Sequence, residues 1–203
     1  MKKIIFGLMI CFFLVLPSVC FGATGLYGSV NAGVALALNS DVSYSDGSPT
    51  EEIEWDAGYT VGGAIGYMIE KFRIEGEVSY QENDVDRVII GGSSVPASGD
   101  VSLLTFLANG YYDFTNDSPM SFYLTAGIGA SKVEVDGTEG SDDDTVFAYQ
   151  LGAGVGYAAS ETVTWDFRYR YLGTADPEFG EACDTAEAEV GSHNFTVGVR
   201  FAF

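Results

Sequence analysis

The sequence predicts an all-β protein: an eight-stranded antiparallel up-and-down transmembrane β-barrel, preceded by a cleaved signal peptide. Three observations carry this. Apolar residues recur with a period of two in eight separate segments. The connections between those segments alternate between short and long. The first 22 residues have the order of a secretory leader.

The leader comes first. Lys2 and Lys3 precede an apolar run from Ile4 to Leu16, broken by Pro17 and followed by small residues. Thirteen apolar residues are too few for a spanning helix, which needs about 20. Removal after Gly22, with Cys20 at the −3 position, leaves residues 23–203 as the barrel domain. Val19 argues against lipid attachment at Cys20. Cys183 is then the one mature cysteine, so no internal disulfide forms even in an oxidising compartment. Seven basic residues remain against 29 acidic ones, a net charge of −22. So acidic a chain excludes nucleic acid as a partner, because phosphate contacts need Lys and Arg.

The eight segments are read at 25–38, 56–68, 72–81, 101–114, 120–133, 145–158, 163–172 and 194–203. The last shows the pattern most cleanly, with Phe195, Val197, Val199, Phe201 and Phe203 on one face. In the seventh, Val163, Trp165, Phe167, Tyr169 and Tyr171 alternate with Thr164, Asp166, Arg168 and Arg170. Strands of about 9–11 residues in even number suit a tilted barrel in lipid, where an open sheet could not satisfy its backbone. Short connections fall at 69–71, 115–119 and 160–162, and long ones at 39–55, 82–100, 134–144 and 173–192. With both termini inside, all four long loops lie outside the cell. A soluble barrel would hydrate its polar face with Lys and Glu. Here that face is mostly Gly, Ala, Ser, Thr and Asn, and aromatic residues such as Tyr67, Phe72, Tyr112, Phe122, Tyr157, Trp165 and Phe203 gather near one set of strand ends.

The leader, the first strand Gly25-Leu26-Tyr27-Gly28-Ser29-Val30 and the last strand ending at Phe203 resemble the outer-membrane β-barrel family of OmpA-like and OmpX-like surface proteins. Asp166-Phe167-Arg168-Tyr169-Arg170-Tyr171 is similar to the penultimate strand of that family. The resemblance implies an outer-membrane location in a Gram-negative-type cell, contact with outer-membrane lipids and lipopolysaccharide, and insertion by the barrel-assembly machinery. Phe195, Val197, Val199, Phe201 and Phe203 would be the assembly signal. No activity follows from it, since one fold hosts many functions.

Projecting the polar faces inward collects Arg73, Glu75 and Glu77 from the third segment, Asp166, Arg168 and Arg170 from the seventh, and Arg200 from the eighth. Buried charges are costly unless paired, so a cross-lumen network is expected. It would act as a packed plug rather than a gate, because eight strands leave an interior that side chains fill. The loops hold 21 of the 29 acids and one base, Arg87. Their densest run, Asp142, Asp143 and Asp144, lacks EF-hand spacing, so diffuse cation attraction is expected there rather than a shaped metal site. No cofactor is implied. His193 is the single histidine, which excludes a zinc site of several His ligands. The outer-membrane lipid A deacylases place a Ser two residues after their His, and here that position is Phe195. The expected function is structural or surface-interacting, through four acidic loops and without enzyme activity. A narrow, low-conductance pore is the alternative, and a lipid-modifying enzyme the third reading.

Overall fold

The computed structural model describes residues 25–38, 40–44, 51–90, 93–96, 99–114, 118–137, 140–175, 178–179, 186–187 and 191–203. Residues 1–22 and Cys183 lie outside the described residues. Eight long strands form the barrel: β1 (Leu26–Ala37), β2 (Ala57–Ile69), β3 (Phe72–Ile90), β4 (Asp100–Phe114), β5 (Met120–Gly137), β6 (Gly140–Ala158), β7 (Val163–Thr174) and β8 (Gly191–Ala202). Each pairs antiparallel with its sequence neighbours. β8 pairs with both β7 and β1, which closes the ring. At that seam Tyr27 lies opposite Ala202, and the Phe203 amide donates to the Leu26 carbonyl at 3.0 Å.

Which face looks outward decides the environment. Ile128 is 61% exposed and Leu151 59%, whereas lumen-facing Ala148 and Arg170 are fully buried. A wall that exposes its Leu, Ile and Phe and buries its Arg is inverted relative to a water-soluble protein, and lipid is the solvent that stabilises it. Phe195, Val197, Phe201 and Phe203 belong to this exposed wall. At the short-turn end Phe72 packs edge-on to Tyr112 at 5.2 Å, and Tyr112 to Phe114 at 5.0 Å, within an aromatic belt. Ile128→Arg, on the lipid face midway along β5, should cost about 2–4 kcal/mol of barrel stability. Urea titration in phospholipid vesicles would measure it, and an unchanged midpoint would contradict a lipid-facing Ile128.

The loop end differs from the sequence expectation. β3, β5 and β6 run on through stretches read as loops. Segment 134–144 is a β-hairpin, with Gly137 opposite Gly140 and two residues between them. Inside 39–55 and 82–100 lie the short strands Ser40–Tyr44, Glu51–Trp55 and Ser93–Pro96. The end of β3 pairs with the last two of these, and Ser40–Tyr44 joins Glu51–Trp55 to Ala186–Glu187 and so to Glu178–Phe179. Backbone ladders need no apolar side chains once lipid is left behind, so the alternating signal fades before the strands do.

Candidate functional site

The lumen holds the densest chemistry. Odd-numbered residues of β3 and β4 and even-numbered residues of β6, β7 and β8 point inward, which brings the seven expected charged residues into one network. Glu77 sits at its centre and accepts from Arg168 Nη1 at 3.1 Å, Arg170 Nη1 at 2.5 Å and Asn109 Nδ2 at 3.0 Å. Arg170 also donates to the Ser79 hydroxyl at 3.3 Å. Glu75 is held differently, accepting from the Tyr27 and Tyr111 hydroxyls at 2.9 and 2.6 Å. Arg168 reaches the Tyr111 hydroxyl at 2.9 Å, linking the two carboxylates.

Arg73 takes a partner that the sequence reading did not name. It bonds both oxygens of Asp113 at 2.7 and 3.1 Å, and its guanidinium lies 4.2 Å from the centre of the Tyr111 ring. Asp166 accepts from the Tyr123 hydroxyl at 2.6 Å and faces Arg200 Nη2 at 3.5 Å. Tyr27, Tyr111, Tyr123 and Asp113 were therefore missed. The signal was present for all four, since each falls on the inward parity of its strand. The rings fit because small residues make room: the Tyr123 ring occupies the space a side chain at Gly154 would need.

Toward the loop end the lumen changes character. Val101, Leu103, Leu107, Val133, Val146, Ala148 and Leu172 form one packed apolar cluster on the β4–β7 wall. Opposite it, neutral groups bond to one another: Ser192 donates to Gln81 at 3.1 Å, Gln81 to Asn83 at 2.9 Å, and Asn83 to the Ala35 carbonyl at 3.0 Å. The apolar wall of this half is closely packed. An ion entering it would lose its water and meet no charge of opposite sign in this cluster.

The acidic run of the sequence lies on β6, not in a loop. Asp142, Asp143 and Asp144 stand opposite Val135, Glu134 and Val133 of β5. Successive strand residues face opposite ways, so Asp143 and Asp144 point to different sides of the ladder. Asp143 already pairs with Lys132 at 3.1 Å, and Asp144 accepts from the Thr145 amide at 2.7 Å. Among the described residues no group of three ligand-type side chains could hold a metal. His193 lies on the outward face, where its Nδ1 meets the Tyr169 hydroxyl at 2.8 Å and its ring stacks on that tyrosine.

A closed ring, an inverted surface and a charged lumen describe a class of protein, and the comparisons place the chain within it. The family model for the outer membrane protein beta-barrel domain matches residues 13–203. The chain belongs to this family. As a member it is an integral barrel of the outer membrane. Outer membrane protein PagN of Salmonella typhimurium is 26% identical over 175 residues, which cover 70% of this chain and 72% of that protein. Major surface antigen 4 of Anaplasma marginale is 26% identical over 174 residues, covering 70% and 60%. Among solved structures, neisserial surface protein A has a TM-score of 0.60 at 26% identity, covering 90% of this chain and 100% of that one. OprG of Pseudomonas aeruginosa has a TM-score of 0.55 at 16% identity over 90% and 99% of the two chains, a likeness of fold alone.

Proposed function

We propose that this outer-membrane barrel is a non-enzymatic surface protein that displays an acidic β-structure to the cell exterior and binds partners through it. The observation that carries the reading is the extension of β3, β5 and β6 beyond the lipid-facing belt: the end of β3 pairs with two short strands, and β5 and β6 continue as a hairpin. Ordered backbone costs conformational entropy, and a rigid display lowers what a partner must later order on binding. Two similar proteins, a surface antigen and a surface protein, point the same way. In this orientation the short turns, the start of β1 and the end of β8 face the periplasm. The packed apolar wall in the lumen speaks against the narrow-pore alternative. The outward, lipid-facing His193 with Phe195 two positions on speaks against lipid modification.

The acids of this display also give the lipopolysaccharide contact a physical form: divalent cations shared between its phosphates and the carboxylates. Glu134 lies directly opposite Asp143, so like charges face each other across the ladder. Their field should attract Ca²⁺ and Mg²⁺ weakly and without selectivity. Binding should weaken steeply as monovalent salt rises, given a screening length of about 8 Å at physiological ionic strength. Calorimetric titration with Ca²⁺ at low and physiological salt tests this. Tight, salt-insensitive binding that vanishes when Asp142, Asp143 and Asp144 all become Asn would mean a shaped site instead.

The surface role itself is tested on whole cells. Cells carrying the full chain should adhere to epithelial monolayers several-fold better than cells without it. Changing Glu51, Glu52 and Glu54 to Gln, or shortening the β5–β6 hairpin, should reduce that adhesion while leaving the barrel's heat-dependent gel mobility intact. Equal adhesion by all these cells would refute the reading.

A further inference from the structure

The short-turn mouth of the barrel opens into a vestibule of about 250 Å³, lined by Tyr27, Glu70, Ser121, Glu161, Thr164 and Arg200 among others. That exceeds the roughly 150 Å³ that suffices for benzene in a protein interior. Arg200 also lines a second cavity of about 20 Å³ deeper in the lumen, next to Arg168, so it forms the partition between the two.

Arg200 is the least satisfied lumen arginine in a position to meet a ligand. Its side chain is more than nine-tenths buried, and Asp166 faces Nη2 at 3.5 Å, beyond good hydrogen-bond length. Nη1 has no hydrogen-bond partner among the described residues. In the cavity behind it, Arg168 Nε and Nη2 are also without partners. Arg73, by contrast, has both oxygens of Asp113, which removes that carboxylate from the vestibule's chemistry. The interior end of the vestibule is thus lined by the Arg200 guanidinium, whose Nη1 lacks an acceptor among the described residues. Its rim presents the opposite charge, the exposed carboxylates of Glu70 on the β2–β3 turn and Glu161 on the β6–β7 turn.

We infer that this vestibule binds a small zwitterion of amino-acid size, its carboxylate inward on Arg200 and its ammonium outward between Glu70 and Glu161. A simple anion would meet Arg200 but be repelled at the rim. A simple cation would be drawn to the rim and repelled within. The zwitterion matches both ends, and Ser121 and Thr164 supply hydroxyls along the wall. That this mouth faces the periplasm rests on the orientation proposed above, but the binding does not, because it can be measured on solubilised protein.

The test is calorimetric titration of the full-length, detergent-solubilised barrel with L-alanine, acetate and methylammonium as separate probes. Alanine should bind, and acetate and methylammonium should each bind at least about tenfold more weakly. Arg200→Gln should lower alanine affinity by roughly tenfold or more, the loss of a charge-assisted carboxylate contact. Glu70→Gln combined with Glu161→Gln should lower it several-fold at low salt. These two residues lie on exposed turns outside the lumen network, so that variant decides the matter even if Arg200→Gln fails to fold. The proposal is overturned if alanine shows no heat up to about 10 mM, if acetate binds as well as alanine, or if the paired Gln variant binds alanine unchanged. It is also overturned if binding appears only after residues ahead of Gly25 are removed, since the vestibule would then belong to the chain's own amino-terminal segment.

Discussion

Glu77→Gln should be the most damaging single substitution in the barrel, lowering its stability by about 3–5 kcal/mol. Glu77 is the carboxylate between two buried guanidiniums, and the amide leaves Arg168 and Arg170 without a countercharge where water cannot replace it. Arg168→Ala should cost less, about 2 kcal/mol, because Glu77 keeps Arg170 and Asn109. Losing Arg168 strands neither carboxylate, since Glu75 is held by Tyr27 and Tyr111 and Glu77 by Arg170. Urea unfolding in phospholipid vesicles would give both values. A Glu77→Gln barrel within about 1 kcal/mol of the parent would show that the network contributes little. Neither variant should raise ion current in planar bilayers, because the apolar wall beyond the network stays in place.

Removing Phe201, Ala202 and Phe203 should reduce the yield of folded barrel in outer-membrane fractions by roughly tenfold. The deletion takes away the register pairs Gly28 with Phe201, Tyr27 with Ala202 and Val163 with Phe201. It also removes the hydrogen bonds that the Ala202 and Phe203 amides donate to the Thr162 and Leu26 carbonyls, at 2.9 and 3.0 Å. A seam missing these leaves polar backbone facing lipid, which only a closed ring avoids. Phe203→Ala keeps the backbone pairs, so a milder loss is expected from it and would separate closure from side-chain recognition. Normal amounts of heat-modifiable protein after the deletion would remove any assembly role from these residues.

The barrel was legible because alternation survives in one dimension. Parity along β3 and β7 places Arg73, Glu75, Glu77, Arg168 and Arg170 inside without any knowledge of their partners. Who meets whom was not legible. Glu77 and Arg170 are 93 residues apart and meet only when the ring closes across the lumen. Asp113 and the inward tyrosines were passed over because only the charges of three strands and a few amides were read into the lumen, although parity alone separates inward Tyr111 from outward Tyr112. The loop end was misjudged for a different reason. Outside lipid the outward positions carry Lys132 and Glu134 instead of Leu and Phe, so the period-two pattern of β5 persists in polarity while its apolar signature is lost.

The lumen network sets four guanidiniums, of Arg73, Arg168, Arg170 and Arg200, against four carboxylates, of Glu75, Glu77, Asp113 and Asp166. A voltage across a membrane does work only on charge that moves, about 2.3 kcal/mol per elementary charge per 100 mV. Matched charges locked to one another offer almost no net displacement for that work. The barrel should therefore keep one conformation over the whole range of potentials a cell envelope experiences, indifferent to voltage where a sensor would respond.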